Sequence, residues 1–228
     1  MNILALDTST RLLGVGVLSS TGESASDRFD DDGHSAPLFS RVEQILGEAG
    51  LSRDEIDFLA VVNGPGSFTG LRIGMSGLLG WAEASNIPVQ AIDSFHAMRV
   101  SIPPKSYPAL IVIYARAEEF YFQIAHARED YSEPFVGEWK NAAERLKSEV
   151  AVVGPGAERL MKICGSENSE LLKWDGIVLS GCDMISVCRE AKKMYDCDGE
   201  SADNRRIEPF YMTLSQAQIN FEKRERRL

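Results

Sequence analysis

A carboxylate followed by three hydroxyls, Asp7-Thr8-Ser9-Thr10, and a glycine-rich run, Gly64-Pro65-Gly66-Ser67-Phe68-Thr69-Gly70-Leu71-Arg72, are the segments of this 228-residue chain best suited to chemistry. A carboxylate closing a strand can hold Mg²⁺ while neighbouring hydroxyls face phosphate. A glycine-rich turn before a helix aims backbone N–H groups and the positive helix end at an anion. The candidate phosphate or nucleotide contacts are therefore Asp7, Thr8, Ser9, Gly64, Gly66 and Ser67. Each segment has a plainer reading. Asp7 can cap an Asx turn, and the glycines can make a tight strand-to-helix connection with Ser67 or Thr69 as the helix cap. The run is neither a Walker loop nor a GxGxxG fingerprint.

Other chemistry finds little support. The three histidines, His34, His96 and His126, are too far apart to form an HExxH or HxxxH helix face, and no CxxC pair occurs among Cys164, Cys182, Cys188 and Cys197. No metal ligand and no catalytic residue is assigned; the cysteines read as buried or incidental thiols, and His34 as a capping or surface residue. The net charge of −10 repels a polyanion, so any contact with RNA is expected to run through partners. The basic tail Lys223-Arg224-Glu225-Arg226-Arg227 has two readings, a contact with RNA within an assembly and, the plainer, a solvated helix end. The opening MNILALDTST lacks a basic segment followed by a long apolar one, and no apolar run approaches about 20 residues, so a cytoplasmic protein with no membrane contact is expected.

The elements that must position these residues are legible in outline. Residues 2–8 and 12–19 read as a hairpin and 23–30 as a third strand. A helix then opens near Ser35 with Pro37 in its first turn, carries Leu38, Val42, Ile45, Leu46 and Ala49 on one stripe, and stops at Gly50. FLAVV at 58–62 reads as a buried parallel strand running into the glycine-rich turn, a second helix to about Ser85, and a strand at IPVQAI. After the breaker-rich SIPPKSYP, strands restart with ALIVIYA and EEFYFQIAHA. A helix near 139–148, a strand at 150–153, a helix from about Ala157 and another around 185–195 follow. The long period predicts two related α/β lobes, 1–100 and 101–228, hinged near residue 101, with the final helix packing back on the first lobe.

The second helix is unusual. At 100° per residue Gly70, Gly74 and Gly77 fall on one stripe with Gly80 beside it, and each glycine costs roughly 1 kcal/mol against alanine in a helix interior. Something must approach that backbone closely, either the preceding helix of the same lobe or another protein chain.

DTST at 7–10, HS at 34–35, GPGSFTGLRIG at 64–74 and PV at 88–89 together resemble the TsaB (YeaZ-like) family of the tRNA adenosine threonylcarbamoyltransferase complex, densely over residues 1–100 and thinly beyond. The resemblance implies an α/β fold of the two-lobed actin/Hsp70/sugar-kinase-like (ASKHA) kind, each lobe a mixed sheet flanked by helices. It implies a non-catalytic subunit in the synthesis of tRNA N6-threonylcarbamoyladenosine, 3′ of the anticodon, supporting a TsaD-like catalytic paralogue that holds the metal. A TsaE-like ATPase joins them, the chain forms a homodimer in isolation, and tRNA is met only through the complex. No cofactor is implied for the chain itself, with ATP or ADP at an inter-subunit cleft left open. The family's pairing helices correspond to 34–49 and 69–85, which places Leu38, Val42, Ile45, Gly70, Leu71, Gly74, Met75, Gly77, Leu78 and Trp81 at the partner interface.

Two places depart from the family pattern. Tyr114-Ala115-Arg116 stands where Asp-Ala-Arg is common, and Pro209-Phe210-Tyr211-Met212-Thr213 where Pro-x-Tyr-Leu-Arg is common. A neutral phenol cannot replace a metal-binding carboxylate. The alternative functions are an independent nucleotide-dependent phosphotransferase or ATPase using Asp7, Thr8, Ser9 and the Gly64–Gly66 turn, and a peptidase, suggested only by an old family label.

Overall fold

The structure is a computed structural model and describes residues 1–30, 36–164, 169–173, 181–198 and 207–213. The expected cap at His34-Ser35 and the basic tail lie outside those residues.

The first lobe runs β1 (Ile3–Asp7), β2 (Leu12–Leu18), β3 (Ser24–Asp30), α1 (Ala36–Glu48), β4 (Phe58–Val62), α2 (Phe68–Ser85), β5 (Val89–Ile92) and α3 (Ser94–Ser101). The second runs β6 (Ala109–Arg116), β7 (Glu119–Ala125), β8 (Phe135–Gly137), α4 (Trp139–Ala143), β9 (Val150–Val153), α5 (Ala157–Cys164), β10 (Leu172–Lys173) and α6 (Met184–Asp198). The two five-stranded sheets have the orders β3-β2-β1-β4-β5 and β8-β7-β6-β9-β10. In each, the first three strands form an antiparallel meander and the last two add in parallel to the first. The second sheet therefore repeats the first strand for strand. This is the two-lobed ASKHA architecture that the resemblance implied.

Alternation along the strands sorts the apolar residues into three layers. Leu4, Leu6, Leu59 and Val61 face α1 and α2, joined by Leu38, Val42, Ile45, Leu71, Met75 and Leu78. Ile3, Ala5, Phe58 and Ala60 face the other way, toward α3, α6 and the inner face of the second sheet, where Ala109, Ile111, Ile113 and Tyr121 meet them. Leu110, Val112, Phe120 and Phe122 turn outward onto α4 and α5. The helix Met184–Asp198, although late in the chain, lies on the first sheet: a side chain on Gly14 or Gly16 of β2 would overlap Met184.

Most boundaries fall within two residues of the sequence reading. The helix expected over 139–148 is shorter, Trp139–Ala143. The elements α3, β8 and β10 had no clear signature.

Candidate functional site

The lobes enclose a cleft of about 900 Å³, walled on one side by Ser9, Thr10, Gly66, Ser67 and Gly70 and on the other by Tyr114, Arg116, Gly154, Pro155 and Glu158. Two equivalent turns face each other across it. Gly64-Pro65-Gly66 follows β4, and Gly154-Pro155-Gly156 follows β9. Gly64 has φ +112° and Gly154 +111°, the left-handed region that glycine enters without strain. The third residue of each turn lies against the end of its lobe's first strand. A Cβ on Gly66 would overlap the Ser9 carbonyl, and one on Gly156 would stand 2.9 Å from the Tyr114 backbone nitrogen. The second turn escaped the sequence reading, although its signal was available as the same tripeptide recurring on the far side of the long repeat.

Three of the six expected phosphate contacts, Ser9, Gly66 and Ser67, line this cleft; Asp7, Thr8 and Gly64 lie buried behind it. Ser67 caps α2, its hydroxyl accepting from the Gly70 N–H at 3.2 Å, which settles the choice between Ser67 and Thr69. Its own N–H donates to the Ser9 carbonyl at 2.6 Å, so the two motifs form one knot.

Asp7 is 2% exposed, and its Oδ1 accepts from the Ser9 N–H at 2.9 Å and the Ser9 hydroxyl at 2.6 Å. It closes an Asx turn, the plainer of the two sequence readings. Behind it lies Cys182, whose thiol is pushed well above its usual range by burial and then by the Asp7 charge. Opposite, the ring of Tyr114 lies 4.3 Å beneath the Arg159 guanidinium, and Arg116 Nε donates to Glu119 at 2.7 Å. Asp7 Oδ1 is thus held by its own turn, and the opposite wall of the cleft carries the Tyr114 phenol in place of a carboxylate. Among the described residues no group of three His, Cys, Asp or Glu is placed to hold a metal ion.

On the outer face, burial divides the residues expected at a partner interface. Leu38, Val42, Ile45, Leu71, Met75 and Leu78 are each at most 3% exposed inside their own lobe's core. The glycine stripe is also covered from within. A Cβ on Gly70 would overlap the Thr8 carbonyl, on Gly74 the Thr8 side chain, and on Gly77 the Phe39 ring, whereas one on Gly80 would meet nothing within 4 Å. The neighbour that requires bare backbone is therefore the end of β1 and helix α1, because α2 must lie close to the sheet to bring its N-terminus to the cleft. What remains open is a strip turned to one side of that stripe. Phe39 and Ile73 are each 38% exposed, Gly80 and Ala84 are exposed, and Trp81 is half-buried with Arg53 over its ring.

A family model described as TsaD: tRNA N6-adenosine threonylcarbamoyltransferase matches residues 30–169, more than half of the chain. The chain belongs to this family, in its TsaB (YeaZ-like) branch. A TsaB of Escherichia coli is 28% identical over 93% of this chain and 94% of its own length. A TsaB of Haemophilus influenzae is 32% identical, but the match covers 61% of each chain, so this chain spans well under the whole of that relative. Both are named tRNA threonylcarbamoyladenosine biosynthesis proteins. Among solved structures, YeaZ from Pseudomonas aeruginosa superposes with a TM-score of 0.69 at 23% identity, covering 92% of this chain and 99% of that one, and has the same fold.

Proposed function

We propose that the chain is a non-catalytic scaffold subunit in the synthesis of N6-threonylcarbamoyladenosine in tRNA, docking through the α1–α2 face onto a TsaD-like catalytic paralogue. The observation that carries this reading is the placement of Asp7: the first lobe's strand-end carboxylate is 2% exposed, bonded through Oδ1 to Ser9, and set behind the lining of the cleft. The names of its relatives supply the pathway. The exposed strip of Phe39, Ile73 and Gly80, with the half-buried Trp81 beside it, supplies an apolar surface with a polar rim, the composition of a docking patch. In this reading a TsaE-like ATPase joins the pair, tRNA is held by the partners, the isolated chain forms a homodimer through the same face, and the assembly works in the cytoplasm.

Reconstitution tests it. The TsaD-like and TsaE-like proteins of the same organism, given tRNA and threonylcarbamoyl-adenylate, are expected to modify the tRNA only when this chain is added, and this chain alone is expected to form none. Product from this chain alone, or an unchanged yield when it is omitted, contradicts the proposal.

A second reading, a nucleotide-dependent phosphotransferase or ATPase, draws on the paired glycine turns and the volume between them. Calorimetric titration of the isolated chain with Mg-ATP separates the two. Submillimolar binding with turnover abolished in Asp7→Ala favours the enzyme.

A further inference from the structure

The segment Ile207–Thr213 has no regular secondary structure, yet it is tied by directional bonds to both lobes. The Phe210 N–H donates to the Asn63 carbonyl at 2.7 Å, and Asn63 Nδ2 donates back to the Glu208 carbonyl at 3.0 Å. Gly64 leaves the room for this crossing, since a Cβ there would stand 2.6 Å from the Phe210 carbonyl oxygen. Tyr211 then stacks on Phe68, ring centroids 4.2 Å apart and planes at 9°, and Arg72 Nε donates to the Tyr211 hydroxyl at 3.2 Å. Met212 turns into the apolar layer between the sheets. Thr213 reaches the second lobe, where its hydroxyl and that of Tyr121 share a bond of 2.8 Å at the wall of the cleft.

We propose that Ile207–Thr213 is a latch that holds the two lobes at a fixed opening of the cleft and links that opening to the first turns of α2 through the Tyr211–Phe68–Arg72 stack. A segment that only covered apolar surface would need Met212 and little else. This one spends its polar groups on Asn63 at one end and Tyr121 at the other. Phe210 and Tyr211 remain 39% and 37% exposed, so the latch runs over the surface, where irregular backbone with few buried contacts opens before the core does. The cleft and the start of α2 are then biased by one element that is either seated or released, the physical requirement for coupling two places in a fold.

The native thiols report it in the intact chain. Cys182 and Cys188 lie in the layer between the lobes, Cys164 in the outer layer of the second lobe, and Cys197 is exposed. Releasing the latch by Tyr211→Ala is expected to speed labelling of Cys182 and Cys188 by roughly tenfold and to leave Cys164 unchanged, because opening between the lobes bares only the shared layer. Thr213→Val, which removes the bond to Tyr121 of the second lobe, is expected to act in the same direction and also to hasten amide exchange over residues 67–72 of the first. Unchanged labelling, or an equal rise at all three buried thiols, overturns the latch. Should Tyr211→Ala fail to fold by circular dichroism, Thr213→Val decides by the same readings.

Discussion

Gly74 and Gly80 lie on the same helix and meet different surroundings. A methyl group at Gly74 overlaps the buried Thr8 side chain, whereas at Gly80 it enters open space. Gly74→Ala is expected to lower stability by about 1–3 kcal/mol through overpacking. Gly80→Ala is expected to raise it by about 0.5–1 kcal/mol, since alanine restricts the unfolded chain more than glycine does. Urea unfolding of the two variants checks both, and a neutral Gly74→Ala would remove the steric account of the stripe. At this scale the sequence told that the backbone of α2 is approached closely and that Ser67 or Thr69 caps it. It did not tell by whom. A helical wheel fixes directions about one axis, and the neighbour on the glycine side turned out to be Thr8, a residue first considered for phosphate.

Among the elements, those with strong periodicity or punctuation were legible: the β1–β2 hairpin, α1 ending at Gly50, and the strand Val150–Val153. Helix α3 was not, because Ser94–Ser101 is eight residues long and buried on nearly all sides, so that no polar stripe marks its period. The two-residue β10 falls below any pattern. Helices α5 and α6 bring thiols into two of the apolar layers, and burial there pushes Cys164 up from 9.0 to about 11 and Cys188 to about 12. On unfolding these thiols return to ordinary acidity. As pH rises past 9 the unfolded chain releases protons that the folded chain still holds, so stability falls with rising pH between about 9 and about 12. Urea midpoints are expected to drop between pH about 8 and about 10.5, and Cys188→Ala to flatten part of that slope. An equal slope in the variant would assign the effect to other groups.

For the whole molecule the long repeat was visible as strand-rich openings near residues 2 and 109, and the structure gives it physical form in two sheets of the same order. The cleft between them was half legible. Ser9, Gly66 and Ser67 stood in motifs, while Tyr121, Glu158 and Thr213 reach the cleft only through folding, with no local spacing to mark them. The chain keeps the two-lobed frame and its paired glycine turns, yet Asp7 is bonded into its own turn behind the cleft and Tyr114 stands on the opposite wall. In the proposed account what such a frame retains is its outer face, where α1 and α2 leave Phe39, Ile73 and Gly80 uncovered.

Sedimentation velocity of this chain mixed with the TsaD-like paralogue of its organism measures that most directly. The account predicts a one-to-one complex that Ile73→Arg or Gly80→Arg, each folded like the wild type, weakens at least about tenfold, as a charge at the centre of an apolar contact does. Undiminished association of both variants, or no complex with the wild type, would contradict it.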